Sequence, residues 1–296
     1  MSSDPFLSVV IPTYNREKYI VRTIQSLLSQ DYDHFEIIVV DDGSTDDTES
    51  VVRAIQDPRI AYIKKNNAER AAARNYGSRM AKGSYVNFFD SDDVAYSNHL
   101  RQAAAAIETL KTPEVFHLGY DVKDAEGVLL RKVDQWPSTI NERLINGNHL
   151  SCNGVFLRKD IAQKFPFNET RALSASEDYE LWLRLASRFP LHCVNGMTST
   201  VVNHEARSVL KINMEGLLLR MSLLESELRK DDQFIEVYGN KIGTFQAYRD
   251  IYIALHLVMA NYSGKKSLSY LIKAAKTKPS VILTRRFLAV IKKIVL

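Results

Sequence analysis

"LSVVIPTYNREKYIVRTIQSLLSQDYDHFEIIVVDD", residues 7–42, is the stretch on which the fold turns. Its two ends, 7–12 and 35–42, are short continuous apolar runs, the pattern of strands covered on both faces. Between them Ile20, Ile24, Leu27 and Leu28 recur at helical spacing within 17–30. The same alternation continues outward. "TDDTESVVRAIQ" (45–56) opens with a helix-start signature, Thr45 followed three residues on by Thr48, with acids crowding the first turn. Residues 59–65 read as a third strand, 69–83 as a helix closed by Gly83, and 84–90 as a fourth strand. Strands alternating with helices predict an α/β fold, a mainly parallel Rossmann-like sheet flanked by helices. Such sheets bind ligands at the carboxyl ends of their strands. Three polar clusters fall at those ends: Pro12-Thr13-Tyr14, Asp41-Asp42 and Asp90-Ser91-Asp92.

Farther along the pattern loosens. A helix is expected from Leu100 to Leu110, strand-like pieces around Val115 and Val155, a helix from Glu177 to Phe189 and a strand at 198–202. From Ser208 the pattern is mostly helical. This divides the chain into an α/β domain at 1–208 and a helical, basic region at 209–296.

With 296 residues, 45% hydrophobic and 25% charged, the chain has an ordinary globular composition and ample core material. Two cysteines, Cys152 and Cys193, are too few for a disulfide scaffold or a zinc site. No charged-then-apolar leader precedes Leu7. No apolar stretch reaches the roughly 18 residues of a membrane span. A cytoplasmic location is expected. The net charge of +4 is unevenly spread: residues 261–296 carry nine Lys and Arg and no acid, so residues 1–260 are net acidic by five. The split predicts an anionic partner for the tail alone. On a helical wheel of 281–296, Arg285, Arg286, Lys292 and Lys293 fall opposite Leu283, Phe287, Leu288, Val290, Ile291, Ile294 and Val295. A helix of that kind lies in a headgroup plane with its apolar side down. The alternative is that the apolar side packs on residues 210–260 or on a second subunit. Nucleic acid is not expected as a partner.

"VNFFDSDDVA" (86–95) drives an apolar run into Asp90, Asp92 and Asp93, whose charges repel. A divalent cation would relieve the repulsion, since hard cations take carboxylate oxygens plus substrate phosphates; a solvated loop is the alternative. Asp41 and Asp42 could accept hydrogen bonds from a base imide or a ribose, or simply build an Asp-Gly turn. Tyr14 could lie against a base, and Arg70 or Arg74 could reach a phosphate.

Together, 8–48 and 69–93 resemble the family 2 inverting glycosyltransferases of the GT-A fold, a resemblance extending over roughly 7–208. It implies that Pro12, Thr13 and Tyr14 frame the nucleobase, and that Asp42, beside Asp41, reads uracil. It makes Asp90-Ser91-Asp92 the Asp-x-Asp motif, Asp92 the ligand for Mn²⁺ or Mg²⁺, Asp90 nearer the ribose, and Asp93 a sharer of either task. "SASEDYELWLRL" (174–185) resembles the family's Glu-Asp motif, with Asp178 the general base and Glu177 on the acceptor side. Ser174 and Glu177 also read as a capping box. His204 occupies a region where the family carries a histidine near the diphosphate or metal, and Asn153 lies in a stretch resembling the acceptor side. The resemblance implies a nucleotide-sugar donor, UDP-linked, and a glycan or lipid-linked acceptor in surface-polysaccharide synthesis. It would set the enzyme in the cytoplasm, peripheral on the inner face of the membrane. The rivals are a nucleotidyltransferase, against which the absence of glycine in "PTYNREKY" counts, and a catalytically silent nucleotide-sugar-binding protein.

Overall fold

The computed structural model describes residues 4–133, 135–204, 213–260 and 262–295. The domain boundary expected at 208 and the terminal Leu296 lie outside the described residues. Contacts divide the chain into two compact units. One holds Met1–Ile140, Leu150–Leu181 and Phe189–Ala206; the other holds Asn141–His149, Trp182–Arg188 and Arg207–Leu296.

In the first unit, strands β1 (Leu7–Thr13), β2 (Phe35–Asp41) and β3 (Ile60–Lys64) run parallel with β2 in the middle. The register sets Thr13 against Asp41 and Asp41 against Lys64. β4 (Tyr85–Phe88) lies parallel on the other side of β1. Every residue of β1, β2 and β4 is buried, which is why their sequences run apolar without alternating. Helices α1 (Ile20–Leu28), α2 (Thr48–Arg53) and α3 (Glu69–Met80) connect these strands. α1 buries Ile20, Ile24 and Leu27, as the spacing predicts. α3 lies so close to β1 that a β-carbon on Gly77 would stand 2.3 Å from Val10 Cγ1. It ends at Met80, ahead of Gly83. That glycine is needed for a different reason: a β-carbon there would come within 2.6 Å of the Ser8 nitrogen.

Beyond β4 come β5 (Val94–Ala95), α4 (His99–Thr109), β6 (Val115–Asp124), β7 (Leu129–Val133), α5 (Asn141–Leu144), β8 (Val155–Arg158), α6 (Lys159–Lys164), α7 (Glu177–Ala186) and β9 (Leu191–Asn203). The described sheet runs β3-β2-β1-β4-β8-β6-β9-β5, with β7 also on β6. The sheet is parallel from β3 to β4 and again between β6 and β9, and antiparallel where β8, β7 and β5 pair. β8 enters antiparallel to β4 and β6, because this part of the chain is not built from strand–helix–strand crossovers. The strand expected at 198–202 is the end of the longer β9, whose last residues pair in parallel with β6.

The second unit includes α8 (Met214–Arg229), α9 (Asp232–Tyr238), α10 (Ile242–Met259), α11 (Gly264–Thr277) and α12 (Arg285–Val295). Its core gathers Ala247, Ile251 and Ala254 of α10, Leu271 and Ala274 of α11, and Val281 and Val290. Phe287, Ile291 and Ile294 pack against that cluster. The apolar side of α12 is therefore turned inward and is not available to lie on a membrane, which corrects the helical-wheel expectation. What α12 presents outward is Arg285, Arg286, Lys292 and Lys293, with Leu288 at 55% exposure and Leu283, in the preceding turn, at 81%. Among the described residues no helix is long and apolar enough to cross a membrane.

Candidate active site

The carboxyl ends of β1, β2 and β4 carry the expected clusters. Pro12 and Thr13 are buried in β1, and Tyr14 just beyond is 46% exposed. The Thr13 carbonyl accepts from the Asp42 amide at 2.8 Å, which locks the two strand ends together. The two neighbouring acids have different duties. Asp41 is fully buried; it accepts from the Ser44 amide at 2.7 Å and from the Tyr62 hydroxyl at 2.5 Å. It shapes the turn. Asp42 accepts from Lys65 Nζ at 2.5 Å and from the Ala68 amide at 3.0 Å, through Oδ1, while its Oδ2 receives only the longer branch of the Ala68 bond at 3.2 Å. Lys65 was not foreseen.

The three acids after β4 are separated into three environments, and this is how their repulsion is managed. Asp93 is fully buried, accepting from Asn153 Nδ2 at 2.7 Å and from the Val202 amide at 2.8 Å. It braces β9 against the turn and is not placed as a metal ligand. Asn153, also fully buried, returns its Oδ1 to the Asp90 amide at 2.8 Å. Its expected place on the acceptor side is thus replaced by a clamp on the acidic turn, itself held by Asn87 Nδ2 on its carbonyl. Ser91 is buried in the same turn. Asp90 receives Arg74 Nη2 at 2.9 Å. Asp92 stands beside Arg16 Nε at 3.5 Å and His204 Nε2 at 3.1 Å. The ring of His204 stacks on Tyr19, centroids 4.4 Å apart.

Arg74 is 2% exposed and bridges Asp90 to Glu177, whose Oε1 lies 2.6 Å from Nη1. Burial opposes the guanidinium's charge, but the carboxylates of Asp90, Glu177 and Asp178 around it hold it firmly protonated. The structure places Arg74 inside this network, where a phosphate contact was expected. Glu177, expected on the acceptor side, is likewise buried, with its other oxygen accepting from the Ser176 amide at 3.1 Å. That bond takes the place of the reciprocal half of a capping box. Ser174 sends its hydroxyl to Glu69. Asp178 is the next residue, half-buried in the first turn of helix α7 (Glu177–Ala186), where the helix dipole favours a carboxylate. Burial pushes the Cys152 thiol far up, so it stays protonated at neutral pH and is no thiolate nucleophile.

Among the described residues no group of three or more His, Cys, Asp or Glu side chains gathers as a ready metal cage. The pair Asp92 and His204 nevertheless suits a divalent ion. Their 3.1 Å separation is close to the edge between adjacent ligands of an octahedral ion with bonds of about 2.1 Å. His204 Nδ1 has no hydrogen-bond partner among the described residues; with the ring proton there, Nε2 would turn its lone pair to the ion. The remaining positions would fall to phosphate and water, as is usual for Mg²⁺.

Residues 8–163 match the family model described as "Glycosyl transferase family 2". The chain is also 32% identical over 224 residues to the Escherichia coli enzyme named UDP-Glc:alpha-D-GlcNAc-diphosphoundecaprenol beta-1,3-glucosyltransferase WfaP, covering 74% of this chain and 86% of that one. The chain belongs to glycosyl transferase family 2. Its fold is GT-A: S. aureus TarS 1–349 in complex with UDP-GlcNAc superposes with a TM-score of 0.61 at 20% identity, over 93% of this family 2 chain and 91% of the other. An uncharacterized glycosyltransferase of Rickettsia bellii is 32% identical over 62% of this chain, which spans only 27% of that relative.

Proposed function

We propose that the chain is a metal-dependent, inverting glycosyltransferase that moves a sugar from a UDP-sugar to a hydroxyl of a lipid-linked glycan. One observation carries the reading: Arg74 ties the Asp90–Asp92 turn, at the donor end of the sheet, to the turn of α7 that bears Asp178. Donor and acceptor groups are thereby fixed in one frame, the positioning on which a two-substrate displacement depends. Tyr14 offers an exposed ring to the base, and Asp42 an acceptor to its edge. Asp92 and His204 would hold Mn²⁺ or Mg²⁺, the imidazole favouring Mn²⁺; the ion's contribution would be to offset charge on the diphosphate. Arg16, beside Asp92 and 21% exposed in its side chain, adds a second positive charge there.

Asp178 accepts the proton of the acceptor hydroxyl as its oxygen attacks the anomeric carbon from the face opposite the leaving diphosphate. The C–O bond to the acceptor forms as the bond to the nucleotide breaks, and configuration inverts. The name of the E. coli relative supports a diphosphoundecaprenol-linked acceptor. An acceptor of that kind would place the enzyme in the cytoplasm at the inner leaflet, met by the exposed basic faces of α11 and α12.

The test is nucleoside diphosphate release from UDP-glucose, UDP-GlcNAc and GDP-mannose with an undecaprenyl-diphosphate sugar, with Mn²⁺ or EDTA. Release that requires Mn²⁺ and is lost in Asp92→Asn is expected. Full turnover in EDTA and in the variant would remove the metal assignment. Release of pyrophosphate would point to nucleotidyl transfer, and nucleotide binding without release to a silent binding protein.

A further inference from the structure

Lys65 is not part of any motif read from the sequence, yet it sits at the group expected to meet the base. β3 lies beside β2, and the Lys65 amide continues that pairing by donating to the Asp41 carbonyl at 2.9 Å. The chain then turns over the end of β2, with Asn67 Nδ2 on the Asp42 carbonyl at 3.0 Å. Gly43, at φ +86°, permits this close cover: a β-carbon there would stand 3.1 Å from the Asn67 nitrogen. The turn is stapled from outside by Arg171 Nη2 on Asn67 Oδ1 at 2.8 Å. Lys65 Nζ is thereby held on Asp42 Oδ1 at 2.5 Å and on the Asn66 carbonyl at 2.7 Å, with its side chain only 19% exposed.

Hydrogen-bond capacity decides what this pair can read. An ammonium has three donors, and two of these are committed. Among the described residues Asp42 Oδ1 already receives two donors, whereas Oδ2 receives one long bond. One acceptor site and one donor are left on the pair, the acceptor on a carboxylate whose side chain is only 4% exposed. That is the complement of a base edge with an N–H next to a carbonyl, which uracil and thymine present at N3 with O4 or O2. Cytosine would set its N3 lone pair against the Asp42 carboxylate and, where Lys65 meets the C4 substituent, its amine against Lys65. Guanine presents the same N–H beside a carbonyl but adds an amine on the far side of the N–H.

We propose that Lys65 is a specificity-determining residue, donating to a carbonyl of the uracil or thymine base while Asp42 accepts from its N3–H. The inference rests on the reading of the site as a nucleotide-sugar site. It is tested by calorimetric binding of UDP, dTDP, CDP, GDP and the 2-thio and 4-thio analogues of UDP to the full chain, wild type and Lys65→Met. A thiocarbonyl is a weaker acceptor, so one of the two analogues should bind the wild type less well than UDP. Loss of one hydrogen bond to a charged group corresponds to about tenfold or more. In Lys65→Met, UDP should weaken by a similar factor, the thio-analogue should match UDP, and the preference for UDP over CDP should narrow.

Wild-type protein that binds UDP well but does not distinguish it from either thio-analogue would overturn the role of Lys65, even if the variant failed to fold. So would a folded variant with unchanged UDP affinity. Both results would leave the nucleotide site standing. Wild-type protein that bound none of the nucleotides would instead overturn the underlying functional reading, and this inference with it.

Discussion

Replacing Arg74 by Met should destabilise the first unit, and the cause should be the charge it leaves behind. Met fills much of the same volume, so the aliphatic packing is retained. Arg74 and Glu177 are each 2% exposed in their side chains. Removing one partner of a buried ion pair costs about 3–5 kcal/mol because the other charge is stranded. Asp90, at 27% side-chain exposure, can regain water and adds little. Arg70 Nε, 4.0 Å from Glu177, offers a weak substitute, which places the expected loss near the lower end, about 3 kcal/mol. For a protein of this size that is a fall in Tm of about 6–12 °C.

Two further measurements separate charge from packing. In the variant, burial without a counter-charge should raise the Glu177 carboxyl above its unfolded value. A raised acid destabilises most above its folded pKa, and the deficit shrinks as pH falls toward the unfolded value. The gap between variant and wild type in urea titrations should therefore narrow from pH 8 to pH 5. Adding Glu177→Gln should restore much of the loss. A gap that is independent of pH, with no rescue by Gln, would refute the argument. It would assign the loss to the contact of the guanidinium over the Phe167 ring, 5.2 Å away.

Asp178→Asn should lower kcat by at least about 10²-fold with UDP affinity nearly unchanged; activity that fell only in step with Tm would make the residue structural. His99 and His117 are both fully buried, and burial lowers each to about 3. They stay neutral in the fold, so the stability they allow is complete above the unfolded histidine value near 6.5 and is lost as pH falls below it. The loss is about 1.4 kcal/mol per pH unit per histidine, and His117→Gln should flatten the profile between pH 6.5 and 5 in urea titrations. The outward basic face of α12 should sediment the protein with phosphatidylglycerol vesicles and not with phosphatidylcholine, each nearby charge contributing about 1 kcal/mol. Lys292→Glu with Leu283→Glu should weaken binding at least tenfold, and binding indifferent to salt would sink the idea.

The first half of the fold was legible because its strands are buried on both faces, so composition alone marks them, and three strand ends then locate the polar clusters. The second half was not, because nothing in a local pattern says which antiparallel strand will lie beside which. Asn153 and Val202 are more than 60 and more than 100 residues from the turn they hold, and neither spacing nor residue type announces the clamp. Lys65 needed only one further step: with β3 placed next to β2, the residue after Lys64 must stand near Asp42. The burial of Arg74 was signalled too. Ala73 and Gly77 beside it are small and share one helix face four residues apart, the spacing that lets a helix press close on a sheet. For α12, a helical wheel identifies the apolar side but not its cover, and here the cover is α10 and α11.

Asp90, Asp92 and Asp93 show why a motif locates a site better than it assigns the roles within it. Spacing puts three carboxylates on one turn, and by residue type they are interchangeable. Their donors are not. Asp93 is satisfied by an amide side chain and a backbone N–H, fixed parts of the fold that no ligand displaces cheaply. Asp90 is held by an arginine that is itself held by Glu177. Asp92 stands beside an arginine at 3.5 Å, beyond good hydrogen-bonding distance, and an imidazole that would offer Nε2 to a metal by carrying its proton on Nδ1. The roles proposed for the three carboxylates thus follow from their partners, and those partners are a property of the folded surroundings.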